Sequence, residues 1–261
     1  KHNMSIDVVT GGELAVAKYI DFPPNKINFH GNNKSIEELR DAVKYKINHI
    51  TIDSFNEISN LEDITKDLNV SQDIMIRVSP SIDPHTHLLT TTGVLDSKFG
   101  FSIETGDAEK AIKKLMKTDS LNLQGLHFHL GSPIFELKPF SDAIEYVYKF
   151  ASEMRKKYNF DMKEFSPGGG FAIGYLSNKK PPKIKEYAKA ISDSIKEACD
   201  VHDFNIPKVI LEPGRALIGR SGVSIYKVGS IKKIPGVRNY ISVDGGMGDN
   251  IRPALYGSEY S

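Results

Sequence analysis

The sequence predicts an α/β protein built as a β/α barrel, and three observations predict it. Short β-rich runs alternate with longer helical patterns up to Arg215, and such alternation implies parallel strands with covering helices. Four glycine-rich segments each follow a hydrophobic run: residues 125–132, 166–171, 211–215 and 243–256. Repeated strand-then-turn endings are where a barrel of this kind assembles its active site. Finally, seven strand–helix units can be counted, one short of a closed (β/α)8 barrel. The missing unit is expected before Lys1.

The predicted strands cover residues 6–9, 27–30, 49–53, 74–79, 123–130, 164–166 and 208–211, with helices between them. Ile36–Tyr45 carries apolar residues at helical spacing, with Ser35 as cap and Glu38 three residues on, a capping-box pattern. Residues 108–116 and 140–156 read as amphipathic helices, and residues 184–198 as another, entered through Pro181 and Pro182. After Arg215 the rhythm changes. Residues 222–232 and 239–243 read as strands with no helix between them, which predicts a barrel over 1–220 and the start of a β-rich C-terminal domain over 221–261.

Composition narrows the function. Apolar residues are 39% and charged residues 26% of 261, an ordinary globular balance. A net charge of +1 gives no electrostatic case for nucleic acid or an anionic membrane. No run approaches the roughly 18 apolar residues of a transmembrane helix. The single Cys199 cannot form an internal disulfide, so a reducing, cytoplasmic setting is expected. Lys1 is not an initiator methionine and the chain stops soon after a motif-rich segment, so a piece of a longer protein is expected.

The chemistry-bearing residues cluster at the predicted strand ends. His127 and His129 are two apart and share one strand face. They could form a metal pair, as could His85 and His87, but the further ligands that zinc or iron requires are not clustered near another strand end, so no metal is assigned. The other reading sets one imidazole against a planar ligand, and the following Gly131-Ser132 suits a phosphate. Gly168-Gly169-Gly170 gives backbone amides room to converge on an oxyanion, or is a plain strand–helix turn. Glu212 sits at the end of a strand, pointing to the active-site face. Gly214 permits close approach, and Arg215 can fork onto a carboxylate or phosphate. A structural ion pair between Glu212 and Arg215 is an equally open reading. Arg252 and Tyr256, four apart in a Pro-containing loop or short turn, could hold a substrate carboxylate or simply pack at the surface.

Together these segments resemble the barrel-type pyridoxal-phosphate decarboxylases of the alanine racemase-like fold, most closely their diaminopimelate branch. Residues 7–14 (Asp-Val-Val-Thr-Gly-Gly-Glu-Leu), 29–34 (Phe-His-Gly-Asn-Asn-Lys), Thr92-Gly93 with Ser97-Lys-Phe-Gly100, and the four glycine-rich segments match in order and spacing. The resemblance implies pyridoxal 5'-phosphate as cofactor, with Glu212 at the pyridine nitrogen and His129 stacked on the ring. It places Ser132, Gly169, Gly170, Gly214 and the Arg215 amide on the phosphate, and Asp7 and Arg77 along the cofactor end of the barrel. Arg215, Arg252 and Tyr256 would bind a substrate carboxylate. It further implies decarboxylation of meso-2,6-diaminopimelate to L-lysine by a homodimer.

Two family features are absent from the sequence: the Schiff-base lysine in a Tyr-x-x-Lys segment, and the Cys-Glu segment that supplies a proton donor across the dimer interface. The chain alone is therefore expected to be inactive and, with open sheet edges, poorly soluble. Pro133 stands where many relatives carry Gln. Three alternatives remain: a decarboxylase of ornithine, arginine or another diamino acid; a non-catalytic cofactor-binding homologue; and a metal-dependent barrel hydrolase using His127 and His129.

Overall fold

A computed structural model describes residues 4–83, 97–175 and 180–259; His85, His87 and Thr92-Gly93 lie outside them. Seven strands run side by side in chain order, each parallel to the next: β1 (Ile6–Val8), β2 (Ile27–Phe29), β3 (His49–Ile52), β4 (Gln72–Ser79), β6 (Leu121–His127), β7 (Glu164–Ser166) and β8 (Lys208–Val209). A two-residue strand, β5 (Phe101–Ser102), pairs off this path with β4. Among the described residues β1 and β8 remain the two edges of the sheet.

The helices α1 (Gly11–Tyr19), α2 (Ile36–Tyr45), α3 (Phe55–Leu68), α4 (Asp107–Leu115), α5 (Lys138–Tyr158) and α6 (Ile184–His202) fill the connections. Their starts are written locally. Thr10, Ser35 and Ser54 each accept the N3 amide of their helix, and Ser35 with Glu38 completes the expected capping box. Glu38 also accepts the Gly11 amide at 2.5 Å, tying the start of α2 to the start of α1.

Apolar helix faces and strand side chains form one continuous core. Tyr148 of α5, fully buried, meets Phe165 of β7 edge-to-face at 5.0 Å between centroids. Burying such rings contributes about 1.5–3 kcal/mol each. The register also builds a polar interior: Asp7 lies beside Asn28, Asn28 beside His49, Arg77 beside His127, and His127 beside Ser166.

Several boundaries differ from the sequence reading. β6 ends at His127, since the chain then leaves the ladder for a turn at Gly131, where φ is +149°. α5 begins earlier because Pro139 sits in its first turn, where no amide hydrogen is needed. α6 runs on to His202 and is closed by Asp203 in the left-handed conformation. The last segment holds an antiparallel pair, β9 (Val228–Ile234) and β10 (Arg238–Val243). β9 starts six residues later than the predicted 222, because pairing begins only where Val228 meets Val243. Short helices α7 (Gly214–Ile218) and α8 (Arg252–Tyr256) flank this hairpin. The loop or short turn expected at 252–256 is thus one turn of helix, with Pro253 in its first turn.

Candidate active site

Glu212 is delivered by an extension of β8. Ile210 N donates to Phe165 O at 2.9 Å and Glu212 N to Gly168 O at 3.1 Å, so the parallel pairing persists past Val209. The Glu212 carboxylate then reaches the ends of β6 and β7. Ser166 Oγ donates to Oε1 at 2.7 Å, and His127 Nε2 lies 3.1 Å from Oε1 and 3.3 Å from Oε2. Burial alone would raise the Glu212 carboxyl. The charges of His127 and His30 and the two hydrogen bonds outweigh it and hold the group well below the usual carboxylate range. The ion pair between Glu212 and Arg215 left open by the sequence is not formed: Arg215 donates instead to Tyr175 Oη at 3.3 Å.

His129 faces the same cavity as Glu212. Its Nδ1 accepts the Gly169 amide at 3.3 Å. Burial, reinforced by Arg77, pushes its pKa down to about 4, so it is a neutral ring at neutral pH. Asp7, on β1, accepts from Asn28 Nδ2 at 2.9 Å. Its pKa is raised to about 6 by burial and by Glu212, an effect that water screens in part because the side chain is one-third exposed. Arg77, near the end of β4, holds its guanidinium 4.4 Å from the Phe99 ring centroid and 3.8 Å from Asp53. Asp7, Arg77, His129 and Glu212 therefore line one cavity of about 530 Å³, together with His30 and His127.

The glycines divide into two kinds. A Cβ on Gly169 would stand 2.0 Å from Glu212 O, and one on Gly170, whose φ is +88°, 2.1 Å from Gly131 O. These positions are glycine because neighbouring strand ends pack backbone to backbone. A Cβ on Gly214 would meet nothing within 4 Å. Bridges between Ile134 and Phe171 and between Gly169 and Glu212 align the three loops after β6, β7 and β8. Ser132, Gly169, Gly170, Gly214 and Arg215 thus belong to adjoining loops, although none of them lines the cavity just described. The amides of Gly169 and Gly214 are already engaged, the latter with Glu212 O at 2.9 Å. Arg252 lies 5.2 Å from the Tyr256 ring, in α8, and neither lines this cavity.

Sequence reasoning missed His30, and it gave His127 a metal role only in company with His129. His30 Nε2 is 3.9 Å from Glu212 Oε1 and 3.8 Å from Asp7 Oδ1, and its ring meets that of His127 at 4.9 Å between centroids. The signal was available: Asn28 and His30 are two apart around Phe29, the same alternation that links His127 to His129.

The donor set suits a planar, protonated nitrogen heterocycle. An ionised carboxylate awaits a positive N–H, a neutral imidazole faces the same space, and His30 Nε2 and His127 Nδ1 are buried without hydrogen-bond partners. Among the described residues no helix is long and apolar enough to cross a membrane.

Comparison with known proteins agrees with this chemistry. The family profile of the pyridoxal-dependent decarboxylases, pyridoxal binding domain, matches residues 2–219. The chain is 45% identical over 260 residues to the diaminopimelate decarboxylase of Bacillus subtilis, covering 100% of this chain and 59% of the relative. It is 39% identical over 268 residues to that of Mycobacterium tuberculosis, covering 60% of it. Among solved structures, diaminopimelate decarboxylase from Helicobacter pylori complexed with L-lysine superposes with a TM-score of 0.88 at 31% identity, over 98% of this chain and 62% of that one. The M. jannaschii enzyme in co-complex with L-lysine gives 0.89 at 34%, over 98% and 58%. The chain spans about 60% of the length of the curated relatives it matches.

Proposed function

The chain belongs to the pyridoxal-dependent decarboxylases, and from that membership we propose that it forms the cofactor barrel of an enzyme converting meso-2,6-diaminopimelate to L-lysine and carbon dioxide. The observation that carries the chemistry is the Glu212 carboxylate, held ionised on the cavity by Ser166 and His127. The substrate is argued from the 45% identity to the Bacillus subtilis enzyme across the whole chain.

Pyridoxal 5'-phosphate, when bound, supplies the electron sink that accepts the electron pair left as carbon dioxide departs. Glu212 holds a proton at the pyridine nitrogen, because a carboxylate fixed by two donors favours the charged N–H form. His129, neutral and anchored through Nδ1 to the Gly169 amide, would stack against the bound cofactor ring. Asp7 and Arg77 border the same space, with Arg77 fixed over Phe99. Ser132, Gly170 and the Arg215 amide would hold the phosphate, with Gly169 and Gly214 shaping the segments that carry them. Arg215, Arg252 and Tyr256 take a substrate carboxylate. The domain division falls near residue 220, before the β9–β10 pair.

The working form is a cytoplasmic homodimer. The single cysteine, Cys199, is buried, and such sparse cysteine usage suits a reducing compartment. The test measures carbon dioxide release by the protein of the whole reading frame, offered meso-diaminopimelate, ornithine and arginine in turn. Preferential turnover of diaminopimelate is expected. Turnover of ornithine or arginine instead would move the substrate, and cofactor binding without turnover would make the protein a non-catalytic homologue.

A further inference from the structure

We propose that His30, His127 and Glu212 form a binding site for one divalent transition-metal ion, such as Zn²⁺, open when the cavity holds no cofactor. The three residues come from the ends of β2, β6 and β8, and each offers one ligand atom, all within 4.8 Å of one another. Imidazole nitrogens with one carboxylate are a donor set typical of zinc. At zinc–ligand distances of about 2.0–2.1 Å, tetrahedral ligands lie roughly 3.3 Å apart. His127 Nε2 and Glu212 Oε1 are already at 3.1 Å, and His30 Nε2 stands 3.9 Å from that oxygen. A closure of about half an ångström brings His30 Nε2 to that spacing from Glu212, and the two imidazole nitrogens, within 4.8 Å of one another, must draw together by up to about 1.5 Å.

His30 Nε2 is the independent pointer. It is buried, it has no hydrogen-bond partner, and the nearest carboxylate oxygens are too far away to serve as one. A metal ion would give this nitrogen the contact it lacks. Ser166 Oγ already orients Glu212 from behind, as outer-shell donors do. The cavity of about 530 Å³ on the open side leaves room for water to complete the coordination. His129, the metal partner that sequence spacing suggested for His127, is not part of the trio, and its Nδ1 accepts the Gly169 amide. One feature limits the affinity. His127 Nδ1 has no acceptor, so its N–H would go unpaired on metal binding, and a dissociation constant on the order of 1 µM is expected rather than the far tighter binding of structural zinc.

Metal and cofactor would compete, because both need the Glu212 carboxylate, a competition that rests on the decarboxylase reading. The test is isothermal titration of the chelator-treated, cofactor-free protein of the whole reading frame with Zn²⁺, alongside Co²⁺ titration followed by visible absorption. One ion per chain is expected, with Co²⁺ bands of a four- or five-coordinate site, lost in His30→Ala, His127→Asn and Glu212→Gln. Circular dichroism melting checks that each variant folds, and the near-isosteric Glu212→Gln decides the matter if a histidine variant does not. Zinc binding that is undiminished in folded Glu212→Gln, or absent from the parent chain at millimolar zinc, would overturn the site. Pyridoxal phosphate binding to the metal-free chain is measured separately. Cofactor binding without zinc binding would sink the metal site and leave the decarboxylase reading standing. Zinc binding at the trio with no cofactor binding would do the reverse.

Discussion

His127 Nε2 sits 3.1 Å from Glu212 Oε1, the oxygen that also receives the Ser166 hydroxyl at 2.7 Å, although 85 residues separate the histidine from the glutamate. The barrel makes this contact by placing the ends of β6, β7 and β8 in adjacent register. With Nδ1 unpartnered, the His127 ring serves Glu212 as an Nε2–H donor. Both donors keep the carboxylate charged where it lines the cavity.

Glu212→Gln should therefore weaken binding of pyridoxal phosphate to the chain by roughly 10–100-fold, the worth of a charge-assisted hydrogen bond lost from a buried site. His127→Gln should weaken it less, because Ser166 still holds the carboxylate. Equilibrium dialysis with absorbance detection reads both. Equal affinity in Glu212→Gln and the parent would mean that the carboxylate does not face the ring nitrogen.

Gly170 and Gly214 should respond oppositely to alanine. At Gly170 the left-handed φ of +88° and the 2.1 Å approach to Gly131 O make Gly170→Ala destabilising, by roughly 2 kcal/mol or more. At exposed Gly214 a Cβ meets no protein atom, and Gly214→Ala should be neutral or stabilising by up to about 1 kcal/mol. If Gly214 is glycine to let a phosphate approach, the same variant should nonetheless lose cofactor affinity. Urea unfolding paired with dialysis separates the two effects, and unchanged affinity in Gly214→Ala would remove it from the phosphate site.

Acid should destabilise the fold through its buried imidazoles. Burial pushes His49 and His129 down to about 4. Unfolded histidine titrates near 6.5, so between about 6.5 and 4 the unfolded chain binds protons that the native chain refuses. Stability from each ring is full above 6.5 and is lost as pH falls towards 4, at a cost on the order of 3 kcal/mol for the 2% exposed His49. Asp7 acts in the opposite sense: with its pKa raised to about 6 by burial and Glu212, it disfavours the fold as pH rises from about 4 to 6. His30, pushed down to about 3 by burial, acts in the same sense, so three histidines against one partly screened carboxyl leave a net fall in melting temperature from pH 7 to 4.5. A flat profile across that range would show that the rings are protonated in the native state.

The sequence made the parallel sheet readable because strands buried on both faces read as short apolar runs, and because Ser35 and Glu38 announce α2 before its first turn. It also placed Glu212 at a strand end facing the shared cavity, while leaving an ion pair with Arg215 equally open. What stayed hidden depends on register across strands. Nothing in residues 27–30 says that His30 will meet His127, because that contact is set by the β2–β3–β4–β6 order and by barrel curvature. Glycine was legible as a need for space but not as a reason for it: Gly169 and Gly170 answer to neighbouring backbone, Gly214 to no protein atom at all. The β9 start was misjudged because apolar Val223 and Ile225 look strand-like, yet pairing reaches only to Val228.

Lys34 offers the sharpest test of how the loop beside the cavity is held. Its side chain is wholly buried, and Nζ lies 2.6 Å from Glu57 Oε1, 2.5 Å from Gly31 O and 2.9 Å from Thr51 O. Burial drives the Glu57 carboxyl upward, and Lys34 opposes that drive. Glu57 in turn accepts the Asp53 amide at 2.9 Å, and Asp53 accepts the Gly100 amide at 2.5 Å and approaches Arg77. This chain of contacts links α3 to two walls of the cavity. Lys34→Met would strand a buried carboxylate and cost about 3–5 kcal/mol. In the double variant Lys34→Met with Glu57→Gln much of that loss should return, because the uncompensated charge is gone. Cofactor affinity should fall in the single variant and recover only in part in the double, since the Gly31 and Thr51 carbonyls still lack their donor. A double variant no more stable than Lys34→Met would mean that the lysine acts through those carbonyls and not through Glu57.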